Sequence, residues 1–267
     1  MAGGHPLLGL WTYRGFIAES IRRDFHSRYR ASLLGGLWAV ISPLALIGVY
    51  TLAFSHLVRA TLPGHQGNPL AFSIYLCAGL LTWGLFAETL SRLTSVFLDY
   101  ANLLKKASFP RLSLIAIVIG SALVNFSIVI TLYIGFLVFV GHWPGWVVLW
   151  VLPLLALQQL FAVGLGLFLG TLNVFFRDIG QFTSVLLQFW FWLTPVVYTL
   201  PALPQGAQRM LAYNPMVDLI ASYQQIFLLH QPPQWPSLVP LLLLSLIVLT
   251  VGAVFFMRRQ GEMVDEL

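Results

Sequence analysis

The chain has 267 residues; 58% are hydrophobic, only 9% are charged, the net charge is +5 and the mean hydropathy is +0.84. Soluble domains carry about a quarter charged residues, so a soluble protein is excluded. Nucleic-acid binding is excluded as well, because the basic residues flank apolar runs instead of forming one patch. The single cysteine, Cys77, lies inside an apolar run, which leaves no disulfide or cysteine metal site.

At the start of the chain, Leu7 to Trp11 is too short for the apolar core of a cleavable signal, and Arg14 soon follows. Tyr13, Ile17, Ile21, Phe25 and Tyr29 then recur every fourth residue, while Arg22, Arg23 and Arg30 fall largely off that stripe. Residues 1–33 are therefore expected to form a cytoplasmic amphipathic segment lying in the membrane interface. Two roles fit it, a passive anchor or a gate at the cytoplasmic mouth. Its candidate residues are Arg22, Arg23, Asp24, Arg28, Tyr29 and Arg30.

Residues 34–267 read as one all-α membrane domain. A hydrocarbon core takes roughly 20 apolar residues per helical crossing, and six such stretches occur, at 35–57, 70–91, 112–140, 147–172, 181–200 and 237–257. With the N-terminus placed in the cytoplasm, 11 Lys and Arg fall inside and 2 fall outside. The positive-inside rule thus puts both termini in the cytoplasm.

Within the spans, Glu88 and Arg92 stand four apart with the acid first, which suits an intrahelical pair whose arginine snorkels to the interface. No span carries a ladder of acids or histidines, so a proton or sodium relay has little to work with. Gly166 and Gly170 form a GxxxG, a weak sign of a dimer seam. Between the fifth and sixth spans, residues 200–236 are bracketed by prolines around an apolar helix from Met216 to Leu229. About 14 residues reach roughly 21 Å, too short to cross. A re-entrant outer hairpin fits best, with Asn214, Pro215, Asp218 and Tyr223 as candidate gate residues.

No GxxxxGK[ST], HExxH or GxSxG occurs, and the six histidines are scattered over tails and connections. The chain is therefore not expected to be an enzyme or to bind a metal. Two cytoplasmic connections are instead apolar and charged together, at 99–111 and 173–180. Leu103, Leu104, Lys105, Lys106 and Phe109 in the first, and Phe175, Phe176, Arg177 and Asp178 in the second, read as exposed groups of a docking surface.

These features come together with a resemblance. Arg23 to Leu44, Phe176-Arg-Asp-Ile179, Leu193-Thr-Pro-Val-Val-Tyr198, Tyr213-Asn-Pro-Met216 and the tail from Arg258 to Leu267 resemble the polysaccharide-export permeases of ABC transporters. The similarity covers essentially the whole chain. It looks more like the O-antigen and teichoic-acid permeases than the capsule branch. One departure is Tyr223-Gln224, where the family usually has Tyr-Arg. The resemblance implies a homodimer in the bacterial inner membrane with two copies of an ATPase beneath it. ATP and Mg would be bound by that partner, with no cofactor in this chain. It further implies a channel along the dimer axis for a lipid-linked polysaccharide, for which Trp38, Trp83, Trp190, Trp192 and Tyr198 are candidate lining aromatics. The alternatives are a permease for a drug or lipid, a secondary transporter or a membrane-bound enzyme.

Overall fold

The computed structural model describes residues 13–28, 33–57, 62, 70–105 and 111–266, and among these the chain is helical with no strand. Hydrocarbon offers no hydrogen-bond partner to the backbone, so an apolar chain of this kind satisfies its amides internally, as helix. The elements are α1 (Arg14–Ser27), α2 (Trp38–Leu52), α3 (Ala71–Asp99), α4 (Ala101–Leu104), α5 (Leu112–Phe139), α6 (Val151–Phe175), α7 (Asp178–Trp192), α8 (Gln205–Leu211), α9 (Pro215–Gln224), α10 (Trp235–Arg259) and α11 (Met263–Glu266). The candidate residues Tyr29, Arg30, Lys106 and Phe109 lie outside the described residues.

Among the described residues, five helical stretches are long and apolar enough to cross a membrane: Gly35–Ser55, Ala71–Asp99, Leu112–Phe139, Gly145–Phe175 and Trp235–Arg259. The stretch expected at 181–200 differs. Its helix, α7, begins earlier and stops at Trp192, so its 15 residues reach about 22 Å, short of a core of about 30 Å. The stop has a local cause. Proline disfavours helical backbone in the residue before it, and Pro195 follows Thr194 directly.

Helix α3 is the centre of the bundle. About 67% of its apolar window is buried, against 11% for the stretch containing α2 and 22% for α10. Three polar side chains of α6 bind it. Gln158 Nε2 donates to the Thr82 carbonyl at 2.8 Å, Gln159 Nε2 to Thr89 Oγ1 at 3.3 Å, and Asn173 Nδ2 to the Thr94 carbonyl at 2.9 Å. Such bonds contribute about 0.6 kcal/mol each in lipid, with an upper range near 2.

Small residues do the remaining work. A Cβ on Gly252 of α10 would lie 2.5 Å from the Gly164 carbonyl of α6, and one on Gly164 would lie 2.6 Å from the Leu249 amide. The two backbones touch. Gly166 and Gly170 face Leu93 of α3 in the same manner. The GxxxG is thus spent inside one chain and is not available as a dimer seam.

This packing generates a matched test. Gly252→Ala should lower the thermal stability of the detergent-solubilised protein, because overpacking costs about 1–3 kcal/mol. Gly48→Ala, whose new methyl meets nothing within 4 Å, should leave stability unchanged or slightly raised. Fluorescence-detected thermal unfolding of the two variants reads the difference.

Candidate functional site

The half of the molecule that holds α1 is organised by charge. Helix α1 rests on α5, with Ile21 seated on Gly120, whose missing side chain leaves the room. Tyr13, Ile17, Ile21 and Phe25 are half-buried, whereas Arg14, Arg22 and Arg23 are exposed. From this helix Asp24 reaches Arg92 at 2.9 Å, and from just beyond its end Arg28 reaches Glu88 at 2.5 Å. Glu88 also accepts from Asn125 Nδ2 of α5 at 3.0 Å, while the Glu88–Arg92 and Asp24–Arg28 spacings are both 3.7 Å.

The expected intrahelical pair is therefore real, but snorkelling is not its main business. Each member makes a shorter bond to the N-terminal segment than to its neighbour on α3. Sequence reasoning missed this because Asp24, Glu88 and Asn125 are far apart in the chain. The available signal was that Glu88 is the carboxylate deepest within a spanning helix, about 16 Å from the end of α3. Such a residue is costly without a partner.

The two expected docking connections are compact. Leu104 of α4 is buried with Phe97, Leu114, Val174, Phe256 and Met263, so the expected exposure of that leucine does not hold. It anchors the connection, with Leu103 half-buried and Lys105 exposed. In the second connection Phe175 is half-buried, while Phe176, Arg177 and Asp178 are exposed. Asn173 fixes this turn. Its Nδ2 holds α3, as above, and its Oδ1 accepts the Gly180 amide of α7 at 2.8 Å. Beside them, Arg111 donates to the Gln260 carbonyl, tying the start of α5 to the end of α10.

In the other half the chain leaves helical geometry after Trp192, and side chains supply what the backbone loses. Tyr75 Oη donates to the Tyr198 carbonyl at 2.9 Å and the Pro195 carbonyl at 3.2 Å. Gln224 Nε2 also donates to Pro195 at 3.3 Å, and Tyr198 Oη donates to the Trp192 carbonyl at 2.8 Å. Asn214 caps α9, with its Oδ1 accepting the Met216 amide at 3.0 Å and Trp190 Nε1 at 2.9 Å. Its Nδ2 donates to the Leu193 carbonyl at 2.8 Å and to Thr194 Oγ1 at 3.0 Å. Pro215 follows at the first helical position, where its missing amide costs nothing. Tyr223 is fully buried, and Asp218 is exposed on a cavity of about 370 Å³ shared with Tyr75, Gln224 and Leu228.

The candidate aromatics separate into two groups. Trp83 is buried and packs edge-on against Trp190 and Phe191, and Trp190 in turn meets Phe86 and Phe161. Trp38 and Trp192 are exposed, the latter at 61%. On α7, Gln181, Ser184 and Gln188 are exposed along the helix that ends in Trp192, as are Phe182 and Phe189. At helical spacing, Gln181, Gln188 and Trp192 share one stripe. Sequence reading passed over these glutamines because it weighed charged residues and aromatics only.

Helix α9 continues in a π-helical turn (Gln225–Leu229) and closes at His230, which adopts left-handed backbone at φ 55°. His142 Nε2 lies 3.1 and 3.2 Å from the Phe227 and Leu228 carbonyls, and its ring sits 4.5 Å from that of His230. Burial, and then the neighbouring His142, hold the His230 imidazole below its ordinary value.

The sequence profile of the ABC-2 type transporter family matches residues 17–228. The chain is 34% identical to the O-antigen export system permease protein RfbA of Myxococcus xanthus across 97% of both chains. It is 30% identical to the protein of the same name from Klebsiella pneumoniae over 77% of both. Similarity to the polysialic acid transport protein KpsM of Escherichia coli is lower, 20% over 90% of this chain and 92% of that one.

The histidine pair carries a sign that can be measured. Because the folded pKa of His230 lies below the ordinary 6.5, the unfolded chain binds more protons between those two values. Stability is then full above about pH 6.5 and declines as acid is added through that window. The ring is largely exposed, so the loss should be small, about 1–2 °C in Tm. His230→Asn, which tolerates left-handed backbone, should flatten this slope in a thermal-shift series from pH 7.5 to 5.

Proposed function

The chain belongs to the ABC-2 type transporter family, and we propose that it is the channel-forming membrane subunit of a bacterial exporter of lipid-linked, O-antigen-like polysaccharide. The substrate class rests on the full-length likeness to the permeases of Myxococcus and Klebsiella. The geometric observation that carries the reading is the exposed polar and aromatic face of α7. Amide side chains facing lipid would be costly, whereas amides and ring faces together suit sugar hydroxyls and sugar C–H surfaces.

In this reading two copies of the chain line a path in the cytoplasmic membrane, both termini lie in the cytoplasm, and α7 with its non-helical continuation makes the sixth crossing. The outer segment 201–231 is a re-entrant hairpin that closes the exit. The irregular backbone that leads into it is tolerated because side chains of α3 and α9 satisfy it. Helix α1 lies along the cytoplasmic interface, its arginines toward headgroups. ATP is hydrolysed by a separate subunit docked on Lys105, Phe176, Arg177 and Asp178. An exporter of a small apolar drug is the second reading, and the glutamine stripe argues against it.

The test is complementation of a strain lacking this gene, with the ATPase partner present. Gln181→Leu with Gln188→Leu should reduce surface polysaccharide by about tenfold while the protein still inserts and ATPase activity persists. Such a loss corresponds to roughly 1.4 kcal/mol at the limiting step. Arg177→Glu should lower both export and co-purification of the ATPase. Full export by the double leucine variant would remove α7 from the path, and apolar-drug resistance without polysaccharide would favour the second reading.

A further inference from the structure

A cavity of about 430 Å³ opens between α2, α3 and α5, just above the ion cluster. Its wall is apolar for most of its length, with Leu46, Leu80, Leu81 and Val129 along it, and its polar end carries Arg28, Glu88 and Asn125. The three helices are all of spanning length, so the space opens among lipid chains. Its volume is that of a ligand pocket, and its long apolar shape suits an acyl chain. An acyl chain placed there would hold its headgroup at the Arg28–Glu88 pair.

The charge of that pair selects the headgroup. Asp24, Glu88, Arg28 and Arg92 sum to zero and are mutually paired. An anionic headgroup binding Arg28 would take from Glu88 its nearest cation, 2.5 Å away, and leave it only Arg92 at 3.7 Å; a partly buried carboxylate so weakly compensated is costly. A zwitterion with a phosphate and a primary ammonium avoids this. The phosphate takes Arg28 in a charge-assisted pair, and the ammonium takes the Glu88 oxygen that Arg28 vacates. Glu88 keeps Asn125 and Arg92 throughout, and Arg92 keeps Asp24. The Arg28–Glu88 bond is therefore the exchangeable one. We propose that the α2–α3–α5 cavity binds one zwitterionic phosphatidylethanolamine per chain, its headgroup bridging Arg28 and Glu88. The site concerns a membrane lipid and not the transported polymer.

Gly84 gives a clean probe. It is exposed on the cavity wall, and a Cβ built there meets nothing within 4 Å, so the side chain of Gly84→Phe can leave the backbone without a clash and occupy the space. The full chain would be placed in nanodiscs of equal phosphatidylethanolamine and phosphatidylglycerol, then released and weighed by native mass spectrometry. The wild type should retain one phosphatidylethanolamine, favoured about tenfold over phosphatidylglycerol. Gly84→Phe should lose that adduct. Glu88→Gln should still bind lipid, but with the preference for phosphatidylethanolamine gone. Equal retention of both lipids by the wild type, or an unchanged adduct in Gly84→Phe, would overturn the proposal. So would efficient disulfide cross-linking of Leu81→Cys between two chains, which would mean that a second copy covers the groove. Lipid retention is read here without transport, so the result is separable from the export reading.

Discussion

The backbone of this protein has no solvent to bind where it runs through hydrocarbon, and everything else in the fold answers to that constraint. It makes the apolar stretches helical. It also decides where the chain is allowed to stop being helical, because Leu193–Thr199 is irregular only where Tyr75, Gln224 and Asn214 take up its carbonyls. The same three side chains tie α3 and α9 to that stretch, and Asn214 also meets Trp190 of α7. The half of the molecule remote from α1 is thus set by a handful of side-chain bonds to one broken stretch.

Helix α3 makes this local solution global. Along one side it takes the glutamines and Asn173 of α6, and in its C-terminal half it carries Glu88 and Arg92 into the cluster with α1. Asn173 holds both α3 and the start of α7. In the proposed exporter a push on the Phe176–Asp178 turn reaches α7 and α3 through this one side chain. The route is a chain of contacts, and its energetic coupling is the quantity that variants at Asn173 would measure.

Much of the architecture was legible in the sequence because hydrophobic length is a one-dimensional property. Five stretches end within a few residues of where the apolar runs do, apart from α3, which runs on to Asp99. The apolar helix expected from Met216 to Leu229 is there, as α9 and its π-helical turn, but its cap by Asn214 and its first-turn proline show only in the structure. What sequence could not give was pairing across distance. Glu88 looked like half of an intrahelical pair with Arg92 because its partner Arg28 lies 60 residues away. Leu104 looked displayed because a short loop hides its tertiary burial. The glycines looked intermolecular because spacing alone does not say which helix approaches. Gln181 and Gln188 were unread because an amide matters only once it is known to face outward from the bundle.

The central claim is that the polymer passes along the outward face of α7. A photoreactive amino acid would be placed in turn at Gln188, on that face, at Leu187, which is buried, and at Leu242, exposed on α10. Irradiation during export arrested with polymer in transit should attach polysaccharide at position 188 and not at 187 or 242. Equal attachment at 242, or attachment at 242 alone, would contradict the account.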